Sequence, residues 1–205
     1  MKIIINDSNA FIADSLRVAL SVSGDKLIHT RNLCEASVYI KKSSYRLLIT
    51  ELINEEEGID SSVADLIYLT RVNAELKIIV FTCISDASLL SLIKRLLPDV
   101  ILIRKTEPVC VIREKYAARH SSFSHPARND TRISKYHPAG SVTPREFGLM
   151  KWFVSGHNHV EIGRRLHLSP KTVSHYRRSL YRKFQCASEA EFVKKLLMLR
   201  LSPVR

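Results

Sequence analysis

The chain has 205 residues, of which 45% are hydrophobic, and a formal net charge of +12. This length accommodates two small domains, and the apolar content is enough for ordinary packed cores, which argues against a disordered chain. No apolar run approaches the roughly 18 residues of a membrane span, and the first residues have the pattern of a strand rather than of a signal peptide, so we expect a cytoplasmic protein.

The first 110 residues alternate between strand-like and helix-like segments. Short, almost continuous apolar runs predict buried strands, and each is followed by a segment with apolar residues at helical spacing. Repetition of this unit predicts a parallel sheet covered by helices on both faces. The predicted strands are 2–5, 26–30, 46–50, 77–82 and 100–103, and the predicted helices are 10–22, 34–41, 61–72, 87–97 and 107–118.

Residues 118–140 differ in composition from the segments on either side. They contain four Ser and two Pro, together with Asn129, Asp130 and Gly140, and few large apolar side chains. This composition predicts a flexible linker between an N-terminal domain, residues 1–117, and a C-terminal domain, residues 141–205.

Charge is divided unevenly between the two halves of the chain. Residues 1–110 contain 13 Lys and Arg against 14 Asp and Glu, whereas residues 111–205 contain 19 against 6. The basic excess therefore lies in the C-terminal half, which is typical of a module that binds a polyanion. A charge that merely keeps the protein soluble is the alternative.

No arrangement of residues predicts an enzyme active site or a metal site. The four cysteines are far apart and lack a CxxC spacing, so we expect reduced thiols. His157 and His159 have no further ligands at a suitable spacing and are interpreted as part of a polar turn. Neither a GxGxxG motif nor a Walker loop is present.

Four helix starts follow one another from residue 141 onward. Thr143 to Glu146 has the pattern of a capping box, with proline at the first helical position. Asn158, Ser169 and Ser188 are the next three predicted N-caps, which gives an all-α domain of four helices. The residues predicted to face inward are Phe147, Met150 and Phe153 or Val154, then Val160, Ile162 and Leu166, then Val173, Tyr176, Leu180 and Phe184.

The second and third of these helices have the spacing of a helix-turn-helix. Only His167 to Ser169 separate them, and Gly163 permits close packing, so the later helix can enter the major groove of DNA. The side of that helix opposite the core carries cations and small donors, which suit phosphates and the acceptor edge of guanine. A solvated charged face is the alternative. That side consists of Lys171, Ser174, His175, Arg178 and Arg182.

The stretch from Val142 to Phe184 resembles the LuxR-type (NarL/FixJ) helix-turn-helix family. The matching segments are VTPRE at 142–146, EIGRRL at 161–166 and LSPKTV at 168–173. The resemblance implies that the helix after Ser169 reads the major groove and that the last helix supports a homodimer, or a heterodimer with a related regulator. By position it implies base-facing roles for Ser174, His175 and Arg178, phosphate contacts for Lys171 and Arg182, and a place for Thr172 in the same DNA-binding set.

The last helix has a second interpretation that the sequence leaves open. Phe192, Leu196 and Leu199 lie on one of its faces. They either form a self- or partner-interface on DNA or complete the four-helix core.

A LuxR-type tail behind βα repeats implies a response-regulator receiver, which has the doubly wound, flavodoxin-like parallel sheet. Such domains gather acidic residues at strand ends to hold Mg²⁺ and to accept a phosphoryl group on Asp. Here Asn6 and Asp7 occupy the place of two acids, and Glu51 occupies the place of the acceptor. Thr82 and Lys105 follow the family pattern.

These departures predict a receiver that does not carry out conventional phosphotransfer and needs no cofactor. Glu51 has a longer side chain than Asp, and Asn6 removes a negatively charged metal ligand. Glu51 is then either a solvated residue at a strand end or the partner of Lys105 in a fixed ion pair that mimics activation.

The sequence therefore predicts a non-enzymatic, DNA-binding transcription regulator with double-stranded DNA as its partner. Two alternatives remain open at this point. The chain is either an ordinary phosphorylation-controlled response regulator or an adaptor that acts mainly through a partner regulator.

Overall fold

The structure is a computed structural model that describes residues 2–20, 26–42, 45–118, 140–202 and 204. The predicted helix end at Val22 and most of the predicted linker lie outside these residues. Within this part of the chain, no helix is both long and apolar enough to span a bilayer.

The N-terminal part contains one five-stranded sheet in which every pair of neighbouring strands is parallel. The strand order is β2-β1-β3-β4-β5, so all five carboxyl ends lie at one edge. The reversal of order beside β1 places the crevice of this doubly wound sheet between β1 and β3. The strands are β1 (Lys2–Asn6), β2 (Lys26–Thr30), β3 (Leu47–Thr50), β4 (Lys77–Thr82) and β5 (Ile101–Arg104).

Five helices cover the sheet on its two faces, as predicted. Alternate strand residues point to opposite faces, so Ile3 and Ile5 pack with α1 and α5, whereas Ile4 packs with α2, α3 and α4. The predicted α/β class is confirmed. The helices are α1 (Ala10–Leu20), α2 (Leu33–Lys42), α3 (Ile59–Val72), α4 (Ala87–Leu96) and α5 (Val109–Ala118).

The C-terminal part consists of four helices with side-chain caps at their starts. Thr143 and Asn158 both form complete capping boxes with the glutamate three residues later, which satisfies backbone N–H groups that a helix start leaves unpaired. Ser169 and Ser188 each accept a hydrogen bond from the N–H three residues on. The helices are α6 (Pro144–Val154), α7 (His159–Leu166), α8 (Pro170–Lys183) and α9 (Glu189–Met198).

The packing tests two predictions about which residues of α7 and α9 face the core. Val160 does not face inward, because its position in the first turn of α7 leaves it 54% exposed. Phe192, Leu196 and Leu199 are buried against the other helices, so they complete the four-helix core. The exposed apolar residues of α9 are instead Leu197 and Met198.

The two parts of the chain contact each other through main-chain groups beside α3. The Ile59 amide donates to the Leu199 carbonyl at 3.1 Å, and the Arg200 guanidinium donates to the Glu55 carbonyl at 2.8 Å. Gly58 lies directly under this contact, since a Cβ there would be 1.6 Å from the Arg200 oxygen.

A second set of contacts joins α4 to the C-terminal helices. The Ser88 hydroxyl donates to the Lys183 carbonyl at 3.2 Å, and the Arg95 guanidinium donates to the Val142 carbonyl at 3.1 Å. The buried residues on the α2, α3 and α4 face of the sheet and those of the C-terminal helices form one continuous apolar cluster. In this arrangement, α8 keeps its outer face open to solvent.

Candidate functional site

The turn between α7 and α8 holds the two helices in a fixed geometry. His167 ends α7 with φ 53°, and the Leu168 amide donates to the Gly163 carbonyl at 2.8 Å. A Cβ at Gly163 would be 2.5 Å from the Leu168 carbonyl oxygen. Glycine is therefore needed at this position, because the backbone of the turn passes too close to leave room for a side chain.

One side of α8 is anchored in the core and the other carries the predicted DNA-binding residues. Val173 and Leu180 are fully buried, which fixes the rotation of the helix about its axis. Arg178 donates to the Ser174 hydroxyl at 3.3 Å. The predicted residues that are exposed are Lys171, His175, Arg178 and Arg182, with Ser174 and Thr172 partly buried.

Thr172 lies at the start of this helix, where its side chain is already engaged. Its amide donates to the Ser169 hydroxyl at 3.0 Å, and the two hydroxyl oxygens are 2.7 Å apart. The side chain of Thr172 therefore contributes to the helix cap as well as to the surface near Lys171.

The outer side of α8 opens into a concavity of about 710 Å³ that the sequence pattern did not reveal. It includes Arg177, which is ion-paired with Glu189 at the start of α9, and whose Nη1 lies 3.3 Å from His159 Nε2. Only proximity in the folded domain brings these three side chains together. The lining also includes Ser174, His175, Arg178, Tyr181 and Arg182.

His159 is held in the neutral form by this environment. Burial, then the nearby guanidinium groups of Arg177 and Arg178, lower the pKa of His159 below its ordinary value. A neutral imidazole can accept the hydrogen bond from Arg177, so Arg177 carries the positive charge of this contact.

A buried ion pair fixes α8 against α6. Lys183 Nζ lies 2.5 Å from Glu146 Oε2, and the two side chains are 13% and 3% exposed. Burial would raise the pKa of Glu146, but hydrogen bonds from Lys183, Ser179 and Thr143 outweigh it and the pKa is lowered. Glu146 thus acts as both the capping-box residue and the link between the two helices.

The second cluster of charges lies at the carboxyl edge of the N-terminal sheet. Lys105 Nζ is 2.6 Å from Asp7 Oδ2 and 3.1 Å from Glu51 Oε2. Burial would lower the pKa of Lys105, but hydrogen bonds and the charges of the two carboxylates outweigh it and raise the pKa. The expected Glu51–Lys105 ion pair is therefore present, and Glu51 is not a solvated residue.

Glu51 has more hydrogen-bond partners than the sequence indicated. Its Oε1 accepts from the Leu52 amide at 2.7 Å, and its Oε2 accepts from the Cys83 amide at 3.0 Å and lies 3.3 Å from Cys83 Sγ. Burial and the adjacent Glu51 raise the pKa of Cys83, so the thiol remains protonated and able to donate. We call Asp7, Glu51, Cys83 and Lys105 the anion pocket.

Asn6 and Thr82 lie beside the anion pocket with their side chains bonded elsewhere. The Asn6 amide donates to Thr50 Oγ1 at 2.9 Å and accepts from Thr30 Oγ1 at 3.2 Å, so it joins the ends of β1, β2 and β3. Thr82 Oγ1 accepts from the Ile84 amide at 3.2 Å. Across the residues that the structure describes, no group of three His, Cys, Asp or Glu side chains could hold a metal ion.

Comparison with known proteins finds a family similarity in the C-terminal part. Residues 140–196 match the family model of bacterial regulatory proteins, luxR family. No curated protein matches the chain.

Solved structures of response regulators are similar over almost the whole chain. The Salmonella typhimurium RcsB response regulator, described in terms of conformational dynamism for DNA interaction, is 21% identical with a TM-score of 0.65, covering 97% of this chain and 98% of that one. RcsB from Salmonella enterica serovar Typhimurium, bound to a promoter with a phosphomimetic, is 20% identical with a TM-score of 0.67 and covers 96% and 98%. A structure of two RcsB dimers bound to two parallel DNAs is 20% identical with a TM-score of 0.62 and covers 97% and 98%. At these identities the likeness establishes the two-domain fold.

Proposed function

From the match of residues 140–196 to the luxR family model, we propose that the chain is a sequence-specific DNA-binding transcription regulator that phosphorylation of its N-terminal domain does not control. The observation that carries DNA binding is the outer face of α8, where exposed cations project from a helix whose other side is anchored in the core. A regulator of this kind acts by binding rather than by catalysis, in the cytoplasm where promoter DNA is found.

The predicted residues are assigned by their position on α8. Ser174, His175 and Arg178 lie along the exposed stripe that would enter the major groove, and Arg178 can present two parallel donors to guanine. Lys171 at the start of the helix and Arg182 near its end are placed to contact phosphates on either side. Thr172 supports this surface from the helix cap.

A dimer on DNA is the arrangement we propose, as a homodimer or with a related regulator. One of the similar structures contains RcsB dimers bound to DNA, and two copies of one helix-turn-helix read two half-sites. Leu197 and Met198, which are exposed on α9, provide apolar surface for such a contact.

Independence from phosphorylation is proposed from the contents of the anion pocket. Four donors converge on Glu51: the Leu52 amide, the Cys83 amide and thiol, and the Lys105 ammonium. An incoming phosphoryl group would need the same donors, because its transfer depends on positioning and charge neutralisation. The Glu51 carboxylate already occupies the place of that anion.

Fluorescence anisotropy with labelled promoter fragments and a random-sequence duplex, each over a series of salt concentrations, tests DNA binding. We expect tighter binding to a subset of fragments and a linear fall of log affinity with log salt. Binding only after addition of a partner regulator would instead identify an adaptor.

A second experiment tests whether phosphorylation controls DNA binding. The protein is incubated with acetyl phosphate and Mg²⁺, and its intact mass and its anisotropy-measured affinity are then determined. We expect no added phosphate and unchanged affinity. A phosphate on Glu51 or Asp7 together with tighter DNA binding would identify an ordinary response regulator.

A further inference from the structure

Arg177 of α8 has a guanidinium that contacts both neighbouring helix starts. It is ion-paired with Glu189 at the start of α9, and its Nη1 lies 3.3 Å from His159 at the start of α7. The guanidinium carbon also lies 5.7 Å from the centre of the Phe153 ring. These contacts hold the side chain beside the exposed stripe of α8, with a quarter of its surface open to solvent.

The hydrogen bonding of Arg177 is incomplete in this arrangement. Its Nε is buried and has no hydrogen-bond partner among the described residues. An arginine binds an oxyanion most strongly through two parallel N–H groups, and an unpaired buried donor is unfavourable. The pair with Glu189 therefore leaves the hydrogen bonding of the Arg177 guanidinium unsatisfied in the free protein.

Among the described residues that line the concavity, Glu189 is the only carboxylate. The other charged side chains there include Arg177, Arg178 and Arg182, and the Tyr181 hydroxyl also donates to Glu189. A phosphate that enters the concavity meets three guanidinium groups and one like charge. Glu189 therefore disfavours phosphate binding in two ways: its carboxylate repels the phosphate, and it is ion-paired with Arg177.

We propose that Glu189 is an internal counter-anion that occupies Arg177 in the free protein and releases it to a phosphate of the DNA backbone. This inference rests on the proposed DNA-binding function and adds Arg177 to the phosphate-binding residues. Glu189 then lowers the affinity for every sequence by about the same factor. Non-specific binding is weakened by that same factor, because a backbone phosphate carries no sequence information.

The test compares Glu189→Gln with Glu191→Gln in the full chain. Both variants remove one negative charge from the first turn of α9, but Glu191 is bonded to the Ala187 amide and to Lys195, outside the concavity. Anisotropy is measured on a random-sequence duplex at several salt concentrations. We expect Glu189→Gln to bind roughly three- to tenfold more tightly than Glu191→Gln, with a salt slope steeper by about 0.9.

A second variant tests whether Arg177 is the cation that Glu189 occupies. Arg177→Met in the Glu189→Gln background is expected to remove both the tighter binding and the added slope, while circular dichroism shows that the helices remain folded. Equal affinities and slopes for Glu189→Gln and Glu191→Gln would overturn the inference, provided that the wild type binds DNA. Absence of salt-dependent binding by the wild type would instead overturn the proposed function itself.

Discussion

The anion pocket and the outer face of α8 bring charged side chains together with opposite results. In the anion pocket, Lys105 lies within 3.1 Å of two carboxylates, and these side chains are almost fully buried. On α8, several cations share the concavity with Glu189 as the one carboxylate of its described lining. In a buried group each charge depends on its partners, because removing one leaves the others uncompensated, whereas an exposed excess of cations is available to bind a polyanion. Four substitutions test this difference.

The largest effect is expected for Lys105→Met in the anion pocket. The variant leaves Asp7 and Glu51 buried without their cation, so we expect the free energy of unfolding to fall by about 3–5 kcal/mol. Urea unfolding of the full chain, followed by circular dichroism, measures this change. The matched control is Lys26→Met, because Lys26 is exposed on β2. A loss no greater than that of the control would show that the pocket is solvated after all.

Glu146→Gln tests the corresponding buried pair of the C-terminal part. Gln keeps the shape of the side chain but loses the charge that pairs with Lys183, so we expect a loss of about 2–3 kcal/mol. Because the pKa of Glu146 is lowered in the folded state, its contribution is present above the ordinary carboxyl pKa. It is lost as the pH falls through the folded pKa.

Unfolding curves collected at several pH values therefore distinguish the pair from a neutral hydrogen bond. The wild type should lose more stability in acid than Glu146→Gln does. Parallel pH profiles for the two proteins would contradict the assignment.

Arg178→Ala tests the open face of α8. If Arg178 pairs with guanine, we expect specific binding to weaken by about 1–3 kcal/mol and the preference for the specific sequence to decline. Stability should change little, because the side chain is exposed. Lys194→Ala, an exposed change on α9 outside the concavity, is the control for anisotropy on specific and random duplexes. Undiminished sequence preference in folded Arg178→Ala would exclude the base contact.

The smallest effect is expected for Lys171→Ala. A single phosphate contact contributes about equally to all sequences, so affinity should fall by less than about tenfold and the salt slope should decrease by about 0.9. Anisotropy on the same two duplexes measures both quantities. A change confined to the specific duplex would assign Lys171 to base recognition instead.

Local patterns in the sequence predicted most of the fold. The capping box at Thr143 and the N-cap at Asn158 formed as predicted because each depends on residues only three positions apart. The strands at 26–30 and 77–82 were predicted with their observed bounds. At 77–82 the reason is an uninterrupted apolar run, Ile78 to Phe81, between Lys77 and Thr82.

Contacts between residues far apart in the chain were not predictable in the same way. The Glu51–Lys105 pair was one of two open alternatives. The hydrogen bonds from the Leu52 and Cys83 amides to Glu51 could not be predicted, because every residue except proline has a main-chain N–H. The link between Arg177 and Glu189 depends on how α8 and α9 pack. The sequence also left open what covers the apolar face of α9. An amphipathic pattern indicates that one side of a helix is covered, but it does not distinguish the core of the domain from a partner subunit.

The contact beside α3 has a consequence for how the two domains stay aligned as the protein evolves. Its central bond joins the Ile59 amide to the Leu199 carbonyl, groups that every residue except proline supplies in full. Substitutions at Ile59 or Leu199 that keep the core filled can therefore occur while this bond between the domains is kept. Gly58 is the exception, because any side chain there would collide with the Arg200 carbonyl. Gly58 is thus the position at which this main-chain contact tolerates no side chain.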